Sequence, residues 1–278
     1  MGTSFAAELK KSSRRPASWV IGFILVALIT IFSYLLSYLF VVGVEGGNPP
    51  PESEEFLYIL YPENFLSSML QQFISFGTAL ALVLGALSVG SEYKWETLKL
   101  MLTQGPQRVG YFSGKLLALA TVVAVFVLLS FAVGSASSYI VAVLLDAPVE
   151  WPPAIEMLKA FAAGCLILTV FATMGFFLAT LFRGTSLAVG LGLIYVLVLE
   201  NLFLGFAFES ETVDRISQAL PGRNAIDLLG PFREGSVAGT DIPGIEPVDV
   251  AQAALVLVAY LVVFVALSLL LVRSRDIS

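Results

Sequence analysis

Histidine is absent from the 278-residue sequence, cysteine occurs once, and charged residues make up only 13% of it. Without histidine, the chain cannot build a His-ligated metal site, a Ser-His-Asp triad or a Cys-His pair. The single Cys165 excludes a disulfide within the chain. Soluble domains carry about 25% charged residues, and a formal net charge of −6 argues against nucleic-acid binding. We therefore predict no catalytic, cofactor-binding or metal-binding residues.

Long apolar runs take the place of the missing charge. Hydrophobic residues make up 58% of the sequence, and its mean hydropathy is +0.89. A bilayer core about 30 Å thick is crossed by a helix of about 20 apolar residues. The sequence therefore predicts an all-α, polytopic integral membrane protein with six transmembrane helices. These predicted spans 1 to 6 are Ala17–Val44, Asn64–Gly90, Leu116–Leu145, Ala160–Phe182, Gly184 to at least Leu199, and Val250–Val272.

The basic residues are distributed unevenly among the connecting segments. Eleven of the fifteen lysines and arginines lie before span 1, between spans 2 and 3, after span 4, or after span 6. The other three connections hold sixteen acidic residues. Because basic segments stay on the cytoplasmic side, both termini are predicted to be cytoplasmic. The acidic outer face can attract a cationic substrate, although such a face is more often only a solvated or halotolerant surface.

Two segments outside the spans predict short helices that lie outside the membrane. Within residues 1–16, Phe5, Ala6 and Leu9 recur at helical spacing and are followed by four basic residues. This pattern favours an amphipathic helix on the inner leaflet, and the alternative is a frayed, positively charged tail. Between spans 5 and 6, residues 209–249 contain two apolar clusters, which predict two short amphipathic helices at the outer interface.

The segment between spans 2 and 3 predicts a further helix, residues 92–104, below the membrane. Leu98, Met101 and Leu102 form an apolar stripe, and Trp95 lies one turn earlier. A helix held by a span at each end is suited to dock into a groove on a cytosolic partner and to transmit motion. The alternative is an interfacial helix that only orients spans 2 and 3.

The same segment resembles the coupling segment of ABC-2 type permeases, the membrane subunits of type-2 ABC exporters. The likeness rests on the run from Glu92 to Lys99, on Arg108 and on Lys115 with Leu116. The six spans, the N-terminal helix and the long connection before span 6 are also typical of that family. Glu96 departs from the pattern, since many members have glycine there. The resemblance assigns ATPase coupling to Glu92, Tyr93, Lys94, Trp95, Glu96, Thr97, Leu98, Lys99, Met101, Leu102 and Arg108.

The resemblance implies that residues 1–278 form one permease domain in a prokaryotic plasma membrane. Two such chains, identical or paralogous, would work with two cytosolic ABC ATPase subunits, which bind the ATP and magnesium. The chain has no phosphate-binding loop of its own, because Lys115 is followed by leucine instead of serine or threonine. It is therefore predicted not to be an enzyme. The implied function is ATP-driven export of a hydrophobic or amphipathic compound, such as a drug, a peptide or a lipid-like molecule.

Polar residues near the outer ends of spans 2 and 5 are candidates for a transport pathway or an outer gate. They are Gln71, Gln72, Ser75, Thr78, Glu200, Asn201 and Phe203. Helix packing is the alternative role for those of span 2. Two other function classes stay open. An ion-coupled secondary transporter or channel favours inverted repeats and charges near the midplane, and an intramembrane enzyme needs reactive residues, of which these spans offer few.

Overall fold

The computed structural model describes residues 2–43, 60–94, 108–207, 211–232 and 247–274. All regular secondary structure in these ranges is helical. Six helices in the described ranges are long and apolar enough to cross a membrane, which confirms the predicted all-α architecture with six spans. Their bounds are Pro16–Leu39, Pro62–Tyr93, Val109–Leu144, Ala154–Phe182, Thr185–Phe206 and Val250–Ser274.

Three further α-helices lie outside the spans in the described ranges. The N-terminal helix is Gly2–Arg14. Two short helices, Glu211–Ser217 and Pro221–Asp227, follow span 5 in the segment for which two helices are predicted, and we call them the loop helices. Because successive spans alternate in direction, the N-terminal helix, the end of span 2 and the start of span 3 share one end of the bundle. The loop helices lie at the opposite end, beside the start of span 6.

Spans 2 and 3 are longer than the sequence predicts. The helix of span 2 continues to Lys94 instead of ending at Gly90, and the helix of span 3 begins at Arg108 instead of Leu116. The charges of Glu92 and Lys115 look like the membrane boundary in the sequence, but both side chains are buried in the fold. Their mutual pairing lets the helices continue past them. Span 4 also starts earlier than predicted, at Ala154, whereas span 5 ends at Phe206, in agreement with the prediction that it reaches at least Leu199.

Spans 2 and 4 form the centre of the bundle because glycines let their backbones touch. A Cβ atom added to Gly85 of span 2 would lie 1.8 Å from the carbonyl oxygen of Ala172 in span 4. Likewise, a Cβ on Gly175 would lie 2.0 Å from the carbonyl oxygen of Leu82. Small residues at helix contacts are the usual means of close packing in membranes. Spans 5 and 6 pack outside this pair and expose most of their apolar surface.

Three spans contain π-helical segments. They interrupt span 1 at Thr30–Leu35, span 2 at Phe73–Gly77 and span 5 at Tyr195–Leu199. A π-helical segment inserts an extra residue into a turn and leaves local backbone bonding less regular, and such segments are frequent at functional sites. Those of spans 2 and 5 lie toward the end of the bundle that carries the loop helices.

Candidate functional sites

The predicted coupling residues are only partly described by the structure. Glu92, Tyr93 and Lys94 form the last turn of the span 2 helix. Arg108 is the first residue of the span 3 helix. The rest of the predicted set lies outside the described residues: Trp95, Glu96, Thr97, Leu98, Lys99, Met101 and Leu102. Both ends of the predicted coupling segment are therefore continuous with membrane spans.

The last turn of span 2 belongs to an ionic cluster with the N-terminal helix and span 3. We call Glu8, Lys11, Glu92, Tyr111 and Lys115 the ionic cluster. The ammonium group of Lys115 pairs with Glu92 and lies 3.2 Å from Oε2 of Glu8. Lys11 also pairs with Glu92 and lies 3.6 Å from Oε1 of Glu8. The Tyr111 hydroxyl donates to Oε1 of Glu8 at 2.8 Å and accepts from Lys115 at 3.2 Å.

Local helix geometry explains why these side chains meet. The two cluster residues of the N-terminal helix are three positions apart, and the two of span 3 are four positions apart, so each pair shares one helix face. Gly114 lets the two helices approach closely, since a Cβ at this position would lie 2.9 Å from Cβ of Ser4 and 3.0 Å from the backbone nitrogen of Phe5. Any larger residue there would push the N-terminal helix away from span 3.

Three of the four charged side chains of the ionic cluster are almost completely withdrawn from solvent, while that of Lys11 is 28% exposed. Glu92 and Lys115 are each 2% exposed, and Glu8 is 5% exposed. Buried charges cost free energy unless each has a partner. Here two carboxylates face two ammonium groups, so the cluster is balanced only when all four are present. This requirement fixes the N-terminal helix to the end of span 2 and the start of span 3.

Five of the seven predicted pathway residues line one cavity at the opposite end of the bundle. We call it the polar cavity; its volume is about 340 Å³, and spans 2, 4 and 5 and the second loop helix surround it. The five residues are Gln71, Ser75, Thr78, Glu200 and Asn201. Gln72 and Phe203 are not among its lining residues. The structure thus brings most of the predicted set together from two spans that are far apart in sequence.

Glu200 connects span 5 to the second loop helix. Its side chain is buried, and Oε1 accepts a hydrogen bond from the backbone N–H of Gly222 at 3.1 Å. Tyr195 provides a further side-chain hydrogen bond to the carboxylate. A Cβ on Gly222 would lie 2.1 Å from Oε2 of Glu200, so a larger residue at this position would require the carboxylate to shift. The carboxylate therefore lines the cavity and also binds the second loop helix, which forms one side of it.

The polar cavity is bounded by two of the π-helical segments. Ile74 and Ser75 lie within the segment of span 2, while Val196 and Leu197 lie within that of span 5. The side-chain amide of Asn201 donates a hydrogen bond to the backbone carbonyl of Leu197 at 3.1 Å, and Leu197 belongs to the π-helical segment of span 5. The least regular backbone of both spans thus surrounds the same polar space.

A family model described as ABC-2 family transporter protein matches residues 4–199, well over half of the chain. The chain belongs to the ABC-2 family of transporter proteins. No curated protein matches the sequence significantly. ABC-2 proteins are membrane transport components and not themselves catalytic ATPases, and the family match confirms the resemblance predicted from the sequence. All five residues of the ionic cluster fall within the matched region.

Four members of the ionic cluster of this ABC-2 protein were not predicted as site residues: Glu8, Lys11, Tyr111 and Lys115, of which only Lys115 belongs to the motif that resembles the coupling segment. One signal for them exists in the sequence. Lys115 directly precedes the apolar run of span 3, and a lysine there needs a counter-charge. Glu8 and Lys11 carry opposite charges on one helix face, but nothing in the sequence pairs them with a residue about a hundred positions later, as in the bond from Tyr111 to Glu8.

Proposed function

We propose that this ABC-2 protein is the permease of an ATP-driven exporter and that separate cytosolic ABC ATPases drive it through residues 92–104. The observation that carries the proposal is the ionic cluster. It joins the N-terminal helix to both spans from which the coupling segment extends. A force on that segment therefore acts on one connected unit instead of two independent helix ends.

The packing of span 2 gives this force a route into the bundle. Gly85 of span 2 lies against the backbone of Ala172 in span 4, and the backbone of Leu82 in span 2 lies against Gly175 of span 4. No side chain separates the two helices at these points. Such close-packed helices transmit displacement because their contacts cannot be compressed. Movement of the end of span 2 should therefore reach span 4, and through Phe171 it should reach the polar cavity.

The polar cavity supports a cargo with both apolar and polar groups. A carboxylate, two amides and two hydroxyls line it together with apolar side chains from spans 2, 4 and 5. Binding sites of this composition use the apolar wall for affinity and the few polar groups for orientation. We propose that the cavity is part of the export pathway for a hydrophobic or amphipathic compound, and that Glu200 with the second loop helix forms its outer gate.

The proposed assembly contains two permease chains and two ATPases in a prokaryotic plasma membrane. Its support is the family together with the extensive apolar surface that spans 5 and 6 leave uncovered in a single chain. ATP and magnesium belong to the ATPases in this arrangement. The lipid bilayer and the second permease chain share the uncovered surface.

The proposal is tested by the binding of an ABC ATPase to the coupling segment. We expect that the double substitution Trp95→Asp and Leu98→Asp abolishes co-purification with a candidate ATPase of the same genome, because it places two charges on the predicted apolar stripe. The control is Val149→Asp with Trp151→Asp, two exposed apolar residues at the opposite end of the bundle. This pair should leave ATPase binding unchanged.

A second measurement separates coupling from mere binding. In proteoliposomes that contain permease and ATPase, export of a fluorescent amphiphile should require ATP, and the Trp95/Leu98 variant should lose it. Full ATPase binding by that variant contradicts the coupling role. Transport that needs an ion gradient and no ATP would favour an ion-coupled secondary transporter instead.

A further inference from the structure

A second cavity lies beside the ionic cluster, between the starts of spans 1 and 3 and the end of span 2. We call it the basic cavity, and its volume is about 500 Å³. Its wall is apolar in the direction of the membrane interior, where it is formed by Ile21, Leu84, Leu87, Leu119 and Val122. Its polar residues lie where the three spans end. The cavity is therefore amphipathic along the membrane normal.

The charges around the basic cavity do not balance. Among the described side chains that line it or touch its lining, Lys11, Arg15 and Lys115 are cationic, whereas Glu8 and Glu92 are anionic. The two lysines and the two carboxylates neutralise one another in the ionic cluster. The guanidinium group of Arg15 donates only to the neutral Oγ of Ser91, at 3.2 Å, and makes no ion pair in the described part of the chain. One positive charge is thus left over.

The helix of span 1 directs its N-terminus to the same place. Pro16, Ala17 and Ser18, its first turn, line the cavity. Arg15 occupies the N-cap position, and no side chain caps the first turn. The free N–H groups and the helix dipole of such a terminus favour an anion. An arginine that has no anionic partner among the described residues and an uncapped helix N-terminus therefore share one cavity, whose wall toward the membrane interior is apolar.

We propose that the basic cavity binds one anionic phospholipid. Its phosphate lies between Arg15 and the first turn of span 1, within reach of Lys11, and an acyl chain lies along the apolar wall between spans 1, 2 and 3. A phosphodiester carries the single negative charge that the cavity lacks. The order of these groups along the membrane normal also fits a phospholipid. The cations lie at the ends of the spans, where the headgroup would be, and the apolar wall lies further into the membrane, where an acyl chain would be. A zwitterionic lipid would leave the charge of Arg15 unbalanced.

The position of this lipid connects it to the ionic cluster. Lys11 lines the basic cavity and also pairs with Glu92, the first residue of the predicted coupling segment. A bound phosphate therefore stabilises the arrangement of the N-terminal helix on which the proposed function depends. Lipid binding itself does not rest on that function, because all of the residues involved belong to this chain.

The test measures lipid binding to the purified full chain without any ATPase. Native mass spectrometry gives the apparent dissociation constant of the first bound phosphatidylglycerol, with phosphatidylcholine as the comparison lipid. We expect phosphatidylglycerol to bind more tightly, and Arg15→Gln to weaken it about fivefold, the effect of one basic residue near an anionic headgroup. Arg14→Gln is the matched control, since it removes the same charge from the neighbouring, exposed position outside the cavity.

Two further arms test the apolar wall and the source of the phosphate. Leu87→Trp fills the wall without changing any charge and should weaken phosphatidylglycerol binding, provided that the variant shows an unchanged thermal unfolding midpoint. Inorganic phosphate should not displace the lipid, because it lacks an acyl chain. Equal effects of Arg14→Gln and Arg15→Gln, equal affinity for the two lipids, or displacement by inorganic phosphate would each overturn the proposal.

Discussion

At the scale of single residues, Lys115 pairs with two buried carboxylates, and its loss should destabilise the protein strongly. We expect Lys115→Met to lower the free energy of unfolding by about 3–5 kcal/mol, the cost of leaving a buried charge without its partner. Glu8 and Glu92 would then share the ammonium group of Lys11 alone. Denaturant or thermal unfolding of the protein purified in detergent measures this loss.

Two companion variants show whether the loss comes from the ionic cluster. Lys10→Met removes an exposed lysine from the N-terminal helix and should change stability by no more than about 0.5 kcal/mol. The double variant Lys115→Met with Glu92→Gln should be more stable than Lys115→Met alone, because the remaining pair of Glu8 and Lys11 is balanced. If the two substitutions destabilise the protein additively, the buried charges do not interact as the structure indicates.

The sequence indicates which charged residues have a structural or functional role, but it does not show which residues they contact in the fold. Lys115 and Glu92 belong to the motif that resembles the ABC-2 coupling segment, and both are found in the ionic cluster. Glu8 and Tyr111 join them only because the N-terminal helix packs on span 3. Glu200 is similar: its apolar surroundings predict a functional or interface role, whereas its bond to the N–H of Gly222 depends on the tertiary fold.

At the scale of helices, the contact between spans 2 and 4 depends on glycines rather than on large apolar side chains. We expect Gly85→Ala to destabilise the protein by about 1–3 kcal/mol or more, the usual cost of overpacking a core. Its new methyl group would meet the carbonyl oxygen of Ala172, which belongs to the backbone and cannot rotate away. Unfolding of the detergent-purified variant again provides the measurement.

Gly190→Ala is the matched control for that substitution. Gly190 lies in the helix of span 5, and a Cβ there meets no atom within 4 Å among the described residues. Alanine should therefore be neutral or should stabilise the helix by about 0.5–1 kcal/mol, through its better helix propensity. Equal destabilisation by both substitutions would show that the spacing of spans 2 and 4 does not depend on Gly85.

The sequence predicts the presence of the six spans more reliably than it predicts where each helix ends or which parts are π-helical. Runs of about 20 apolar residues predict all six spans, since a helix of that length crosses the bilayer and satisfies its own backbone hydrogen bonds. The ends of spans 2 and 3 are predicted too short because buried ion pairs are indistinguishable from solvent-exposed charges in a sequence. The π-helical segments at Phe73–Gly77 and Tyr195–Leu199 have no sequence signal in the apolar pattern, because they follow from how neighbouring helices pack.

At the scale of the whole molecule, the two candidate sites lie at opposite ends of the bundle and are joined by its most tightly packed helices. The ionic cluster includes the end of span 2, and the polar cavity includes the start of the same span. Span 4 contacts span 2 through Gly85 and Gly175 and contributes Phe171 to the cavity wall. A displacement of span 2 at one end therefore has a direct mechanical path to the cavity at the other.

This arrangement has a function in ATP-driven transport only if the ionic cluster faces the cytoplasm, which labelling with a membrane-impermeant maleimide can establish. Cys165 is the only cysteine, so Cys165→Ser provides an unlabelled background. In that background, Lys10→Cys and Val149→Cys place single thiols at exposed positions on opposite ends of the bundle. Because eleven of fifteen basic residues lie on the side of the N-terminal helix, we expect intact cells to label Val149→Cys alone and permeabilised cells to label both. Labelling of Lys10→Cys alone in intact cells would invert the topology, and it would leave the coupling segment beyond the reach of any cytosolic ATPase.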